Sequence, residues 1–168
     1  MDLNPDALIG IAEIAVAFGG VSALIGIIGA TAHREAALDL ERLKTVVLIS
    51  LLIVAAALLP IIVSEYKLGQ AVGWRLTGVI AFSLNLLLLI YVARAGARSG
   101  LHAADRMYVL FGYGIEPFVQ GALLCIVFGA FVKHSSALYL TFLILALAQS
   151  GSALVILLNS LFAQRRGT

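Results

Sequence analysis

The chain has 168 residues, of which 62% are hydrophobic and 12% are charged. Soluble domains carry charge on about a quarter of their residues, so this composition, with a mean hydropathy of +1.08, excludes a soluble globular protein. The formal net charge of +2 is small, and Lys and Arg lie dispersed between apolar runs, which excludes a nucleic-acid partner. The sequence therefore predicts an all-α, polytopic transmembrane helix bundle that forms one integral-membrane domain in contact with lipid.

The first predicted element, residues 7–30, is apolar apart from Glu13 and a few small polar residues. About twenty apolar residues cross a bilayer core of roughly 30 Å, so this segment can span it. Its length and the acidic residues before it distinguish it from a cleaved signal peptide, and we expect it to remain in the mature protein.

Small residues recur along one face of this first helix. In lipid, helices associate through close backbone approach at such residues. We predict that this face is the central packing element of the bundle and the contact surface of a homo-oligomer. The residues concerned are Ala12, Gly19, Ser22, Gly26 and Gly29.

Further apolar runs predict four more spans, which makes five in all. They lie at about residues 45–65, 75–93, 113–132 and 137–162. Pro60 lies inside the second span and removes a backbone hydrogen bond, which neighbouring groups in a bundle can replace, so we expect a kink there. Trp74, in the link before the third span, is of a type that favours the membrane–water interface.

The approach to the fourth span is ambiguous. Residues 101–112 are compatible either with a short interfacial helix or with the start of that span. The tripeptide Ile115-Glu116-Pro117 is typical of a helix start, because proline is tolerated in the first turn and an acid is favoured near the positive end of the helix dipole.

The distribution of basic residues predicts the orientation of the bundle. Eight of the eleven Lys and Arg residues fall in connections on one side, whereas Lys67, Arg75 and Lys133 fall on the other. Because positively charged connections remain in the cytoplasm, we expect an outside N-terminus and a cytoplasmic C-terminus in a bacterial inner membrane.

Glu13 is the ionisable residue inside a predicted span that most requires a physical reason. Such a residue costs on the order of 3 kcal/mol at the bilayer centre and usually faces a bundle interior or a water-filled path. We expect it to be paired or protonated. It forms a candidate proton or ion site with Asn85, Gln149 and Asn159. The alternative is that Glu13 fixes helix packing and that the other polar residues make ordinary interhelical hydrogen bonds.

Signatures of catalysis or of a bound cofactor are absent from the sequence. His33, His102 and His134 lie outside the predicted spans or at their edges, so they cannot ligate a haem at membrane depth. Ser150 has no His or Lys base beside it, and the single cysteine, Cys125, excludes a disulfide and a cysteine-based metal cage. We expect a protein that is not an enzyme and that holds no metal or cofactor.

Two resemblances accompany this interpretation. The run from Ile11 to Gly20, with Arg42-Leu43 and the run from Ala57 to Pro60, resembles a group of small, uncharacterised bacterial membrane proteins, which implies a helix bundle and no particular activity. Ala12-Glu13-Ile14 is similar to the first helix of small multidrug-resistance transporters, in which a glutamate binds protons and cationic drugs. The chain departs from that family, which has four spans and more aromatic residues within the membrane.

The sequence thus favours an oligomeric channel or transporter for protons or small ions. The alternative is a non-transporting accessory or scaffold subunit that binds a membrane-protein partner. In the first case Glu13 is functional, and in the second it is structural.

Overall fold

The computed structural model describes residues 4–29, 36–99 and 114–166, and these ranges contain helices and no strand. A single 3₁₀ turn, Val132–His134, precedes the last helix. The predicted all-α bundle is therefore confirmed. The helices are α1 (Pro5–Gly29), α2 (Ala36–Glu65), α3 (Gln70–Ser99), α4 (Glu116–Phe128) and α5 (Ser135–Arg166).

Four of these helices, α1, α2, α3 and α5, are long and apolar enough to cross a membrane. α4 has 13 residues, which corresponds to about 20 Å at 1.5 Å per residue and is short of a bilayer core of about 30 Å. The fourth span predicted at 113–132 is therefore not one continuous helix. Its C-terminal end is set by Gly129, whose φ of 68° is left-handed and typical of a residue that ends a helix.

α2 and α5 lie at the centre of the bundle. α2 packs against α1, α3 and α5, while α4 fills the space between α3 and α5. The core between these helices combines aliphatic side chains such as Ile53 and Leu123 with small and aromatic ones such as Ala56, Tyr139 and Phe142.

The contacts also fix the directions of the helices. Ser50 of α2 meets Ser150 of α5, and Ala56 meets Tyr139, so α2 and α5 are antiparallel. Trp74 near the start of α3 packs against Tyr139 near the start of α5, so α3 and α5 run the same way. The chain must therefore return along the bundle between Ser99 and Ser135.

The small-residue face of α1 packs within the chain. Ala12, Ala15 and Ser22 are buried, and a Cβ added at Gly19 would lie 3.4 Å from the Cβ of Ser50 in α2. The structure describes the backbone helix at Gly26 and Gly29 but not what surrounds these two residues. The part of this face from Ala12 to Ser22 therefore serves packing within the chain, and contact with a second copy stays a prediction.

Pro60 shows how the bundle replaces a missing hydrogen bond. Proline has no N–H, so the carbonyl four residues earlier, that of Ala56, loses its donor within the helix. The hydroxyl of Tyr139 donates to this carbonyl at 2.6 Å, while α2 continues as a helix to Glu65. Replacement of the bond by a neighbouring helix was predicted and is confirmed.

Trp74 packs inside the bundle rather than at an interface with lipid headgroups. It is 2% exposed, and its ring lies 5.7 Å from that of Tyr139. The prediction of an interfacial anchor was wrong because Trp74 lies on the face of α3 that points toward α5.

Candidate functional site

Glu116, the first residue of α4, is the acidic side chain that the bundle encloses most completely in the described part of the chain. It is 6% exposed. Ile115 precedes it as a bend, and the carbonyl of Ile115 accepts the backbone N–H of Val119 at 3.2 Å. Pro117 in the first turn has no N–H to satisfy. The local sequence thus starts a helix at this point and turns the carboxyl group inward.

Three amide side chains donate to this carboxyl group. Oε1 of Glu116 accepts Nδ2 of Asn85 at 2.7 Å and Nε2 of Gln120 at 2.8 Å. Oε2 accepts Nε2 of Gln149 at 3.4 Å. These four residues, Glu116, Asn85, Gln120 and Gln149, are called the Glu116 amide cluster below.

The cluster lies at mid-height in the bundle. Asn85 is halfway along α3 and Gln149 is halfway along α5, so Glu116, which contacts both, is far from either end. From this point α4 runs antiparallel to α3. Its later residue Ile126 meets Gly78 of α3, and Gly129 after its end meets Arg75. α4 is therefore a half-length helix whose N-terminus lies in the interior of the bundle.

At each end of α4 lies a side chain whose charge is opposite to the partial charge of that end of the helix. The N-terminus of a helix has a partial positive charge that favours a carboxylate, and Glu116 occupies that position. The C-terminal end is negative, and there Nη2 of Arg75 would lie 2.9 Å from a Cβ added at Gly129. Half-helix ends within a membrane are a recurrent feature of substrate and ion sites in transporters.

Two of the four residues predicted for the ion site belong to this cluster. Asn85 and Gln149 both bind Glu116. Glu13 and Asn159 instead lie on the exposed surface of the described bundle. Glu13 therefore differs from the expectation that it faces the interior, and within the described residues its carboxylate has no hydrogen-bond or ion-pair partner.

The position of Glu13 follows from helical geometry. At 3.6 residues per turn, Glu13 is about 100° from Ala12 and about 160° from Ala15 around the axis. Both alanines are buried. The face of α1 that contacts α2 therefore directs Glu13 away from the bundle.

The sequence interpretation missed Glu116 as a site residue. Glu116 was interpreted only as a charge at a helix start, because a polar residue near a Gly- and Pro-containing break is usually close to the membrane surface. The available signal was the pairing of Glu116 with Gln120 four residues later, on one face of an otherwise apolar helix.

Further buried hydroxyl groups lie on the helices that carry the cluster and on α2. Ser150, adjacent to Gln149, shares a hydrogen bond of 3.1 Å with Ser50. Thr77, about two turns from Asn85 along α3, is fully buried, and within the described residues its Oγ1 has no hydrogen-bond partner. Polar groups therefore continue from the cluster into the bundle.

These features define a membrane-helix bundle with a carboxyl group buried at the start of a half-length helix. Comparisons with protein-family models, curated proteins and solved structures give no match to the chain. The functional interpretation consequently rests on the site itself.

Proposed function

We propose that the protein is a small channel or transporter that moves protons or small monovalent cations across a bacterial inner membrane. The observation that carries this proposal is the Glu116 carboxyl group, which is 6% exposed and bound by amides from three helices.

A purely structural polar contact does not need a charge at this position. A glutamine in place of Glu116 would offer the same shape without the cost of burying an ion, a cost that amounts to several kcal/mol in proteins. Ionisable residues within membranes are accordingly most often part of ion or proton pathways. A carboxyl group at mid-height is also equally distant from both ends of the bundle, as alternating access from the two sides requires.

The orientation proposed for this transporter places the N-terminus outside and the C-terminus in the cytoplasm. The bias of basic residues supports it. The packing is consistent with it. Early residues of α1 cluster with early residues of α5 and later residues with later ones, so the two helices run the same way and the termini lie at opposite ends of the bundle.

A second candidate function, that of a non-transporting accessory or scaffold subunit, is favoured by a different observation. Glu13 lies on the exposed face of α1 at a depth where lipid offers a carboxylate no partner. A donor from another membrane helix, in a partner protein or a second copy, would relieve that cost.

Flux measurements on the purified chain in liposomes separate the two functions. We expect the wild type to carry protons, Na⁺ or K⁺ faster than protein-free liposomes, and we expect Glu116→Gln to reduce this flux to the protein-free level. Size-exclusion profiles in detergent should show that the variant is folded. Wild-type protein that carries none of the three cations would contradict the transport proposal and favour the accessory role.

A further inference from the structure

The two carboxyl oxygens of Glu116 have unequal surroundings. Oε1 accepts two short hydrogen bonds, of 2.7 Å and 2.8 Å, whereas Oε2 accepts one contact at 3.4 Å. Each carboxylate oxygen has two lone-pair positions. Oε1 is therefore saturated, and Oε2 retains room for a proton.

In the present arrangement the groups around the carboxyl group are hydrogen-bond donors and not ligands for a metal cation. Hard cations such as Na⁺ or Mg²⁺ bind oxygen atoms, but Asn85, Gln120 and Gln149 present N–H groups. An ionised carboxylate can only accept hydrogen bonds, so this orientation of the amides follows from its charge. Among the described residues, no group of three or more His, Cys, Asp or Glu side chains is placed to hold a metal ion.

Gln120 offers a hydrogen-bond acceptor beside the carboxyl group. Its Oε1 atom is buried and has no hydrogen-bond partner within the described residues. A protonated Glu116 gains an O–H donor. Gln120 lies on the Oε1 side of the carboxyl group, so a turn of the carboxyl group that brings the protonated oxygen toward Gln120, together with rotation of the Gln120 amide, would present the Gln120 Oε1 to it. The same side chain can thus donate to the ionised form and accept from the neutral form.

We infer that the cargo of the Glu116 amide cluster is the proton, that Glu116 Oε2 is the atom that binds it, and that Gln120 is the positioning residue that accommodates both forms. This inference rests on the proposed transport function. The step moves one proton between water and Oε2 and changes no other covalent bond.

The groups that face Glu116 from the packed helices are neutral at all ordinary pH values. α3 contributes Asn85, α5 contributes Gln149 and α4 itself contributes Gln120. Within the described residues Glu116 is the titratable group of the cluster, so a protonation signal from the cluster belongs to it.

Ion selectivity and infrared spectroscopy together test this inference. In liposomes the wild type should carry protons and neither Na⁺ nor K⁺. Subtracting the Glu116→Gln spectrum from the wild-type spectrum at each pH should leave a band of a protonated carboxyl group that grows as the pH falls, and Glu13→Gln should retain this band. Gln120→Leu should shift the frequency of that band, because the O–H group loses its partner.

The outcomes separate the two proposals. Na⁺ or K⁺ flux that depends on Glu116 and occurs without proton flux would overturn the proton inference and leave the transport function in place. No flux of any of the three cations would overturn the transport function. Identical carboxyl bands in the wild type and Glu116→Gln would overturn the role of Oε2, and an unshifted Glu116 band in Gln120→Leu would overturn the role of Gln120.

Discussion

Glu13 and Glu116 are chemically identical side chains with opposite environments. Glu116 is enclosed by amides from α3, α4 and α5, while Glu13 lies on an exposed face of α1. Hydrogen bonds from several donors stabilise an ion that burial alone would disfavour. Of these two acidic side chains, Glu116 is therefore the one that lies in the interior of the bundle.

Tyr139→Phe should destabilise the bundle because it removes one hydrogen bond. The change removes the hydroxyl that donates to the Ala56 carbonyl, and the carbonyl freed by Pro60 is then left unpaired. We expect a loss of about 1 kcal/mol, measured as a lower unfolding midpoint in detergent. Tyr66→Phe is the matched control, since Tyr66 is 71% exposed. Equal midpoints for the two variants would contradict this role of Tyr139.

Gly129→Ala should strain the end of α4. The φ of 68° at Gly129 is unfavourable for residues with a Cβ, by roughly 1–2 kcal/mol, and the added Cβ would meet the Arg75 guanidinium at 2.9 Å. We expect a lower unfolding midpoint. At Gly121, by contrast, a Cβ meets nothing within 4 Å, so Gly121→Ala should be neutral or stabilising. A neutral Gly129→Ala would be the contrary result.

At the residue scale, the sequence identified polar side chains but not their partners. Asn85 and Gln149 were predicted as site residues because amides are rare within apolar spans. Glu116 was not, because its depth depends on where α4 begins, and that is decided by packing between α3 and α5 rather than by local sequence.

α4 is the element on which the site depends. It begins at mid-height beside Asn85 and ends beside Arg75, and it places a helix N-terminus within the bundle. The sequence analysis predicted an apolar segment here but predicted that it is long enough to span the membrane. Apolar composition does not distinguish a helix that crosses the bilayer from one that packs halfway between two others.

Contact between α1 and α2 can be tested with two adjacent glycines. Gly19→Leu would add bulk against Ser50 and push the two helices apart, whereas a Cβ at Gly20 meets nothing within 4 Å. We expect Gly19→Leu to lower the unfolding midpoint by an amount equivalent to about 1–3 kcal/mol and Gly20→Leu to leave it nearly unchanged. If crosslinking shows that Gly19→Leu disrupts an oligomer while the stability of the monomer is unaffected, the packing described here is wrong.

For the whole molecule, composition was sufficient to predict a helical membrane bundle, because so many apolar residues cannot be buried in a domain of this size. The directions of the helices needed the contacts between them. The parallel course of α3 and α5 follows from pairs such as Trp74 and Tyr139, which no local pattern in the sequence predicts.

The termini should lie on opposite sides of the membrane. Single cysteines introduced at Asp2 and Gly167 in a Cys125→Ala background should react with a membrane-impermeant thiol reagent from opposite sides, with position 2 outside. The bias of basic residues gives this orientation. Labelling of both positions from one side would mean an even number of crossings.

The most direct test of the central claim compares the buried carboxyl group of Glu116 with the exposed carboxyl group of Glu13 in one assay. Liposomes with an inside-negative potassium diffusion potential and an internal pH-sensitive dye report proton entry through the purified protein. We predict that Glu116→Gln abolishes the voltage-driven acidification and that Glu13→Gln retains it. Retention of acidification in Glu116→Gln, with its loss in Glu13→Gln, would contradict the account.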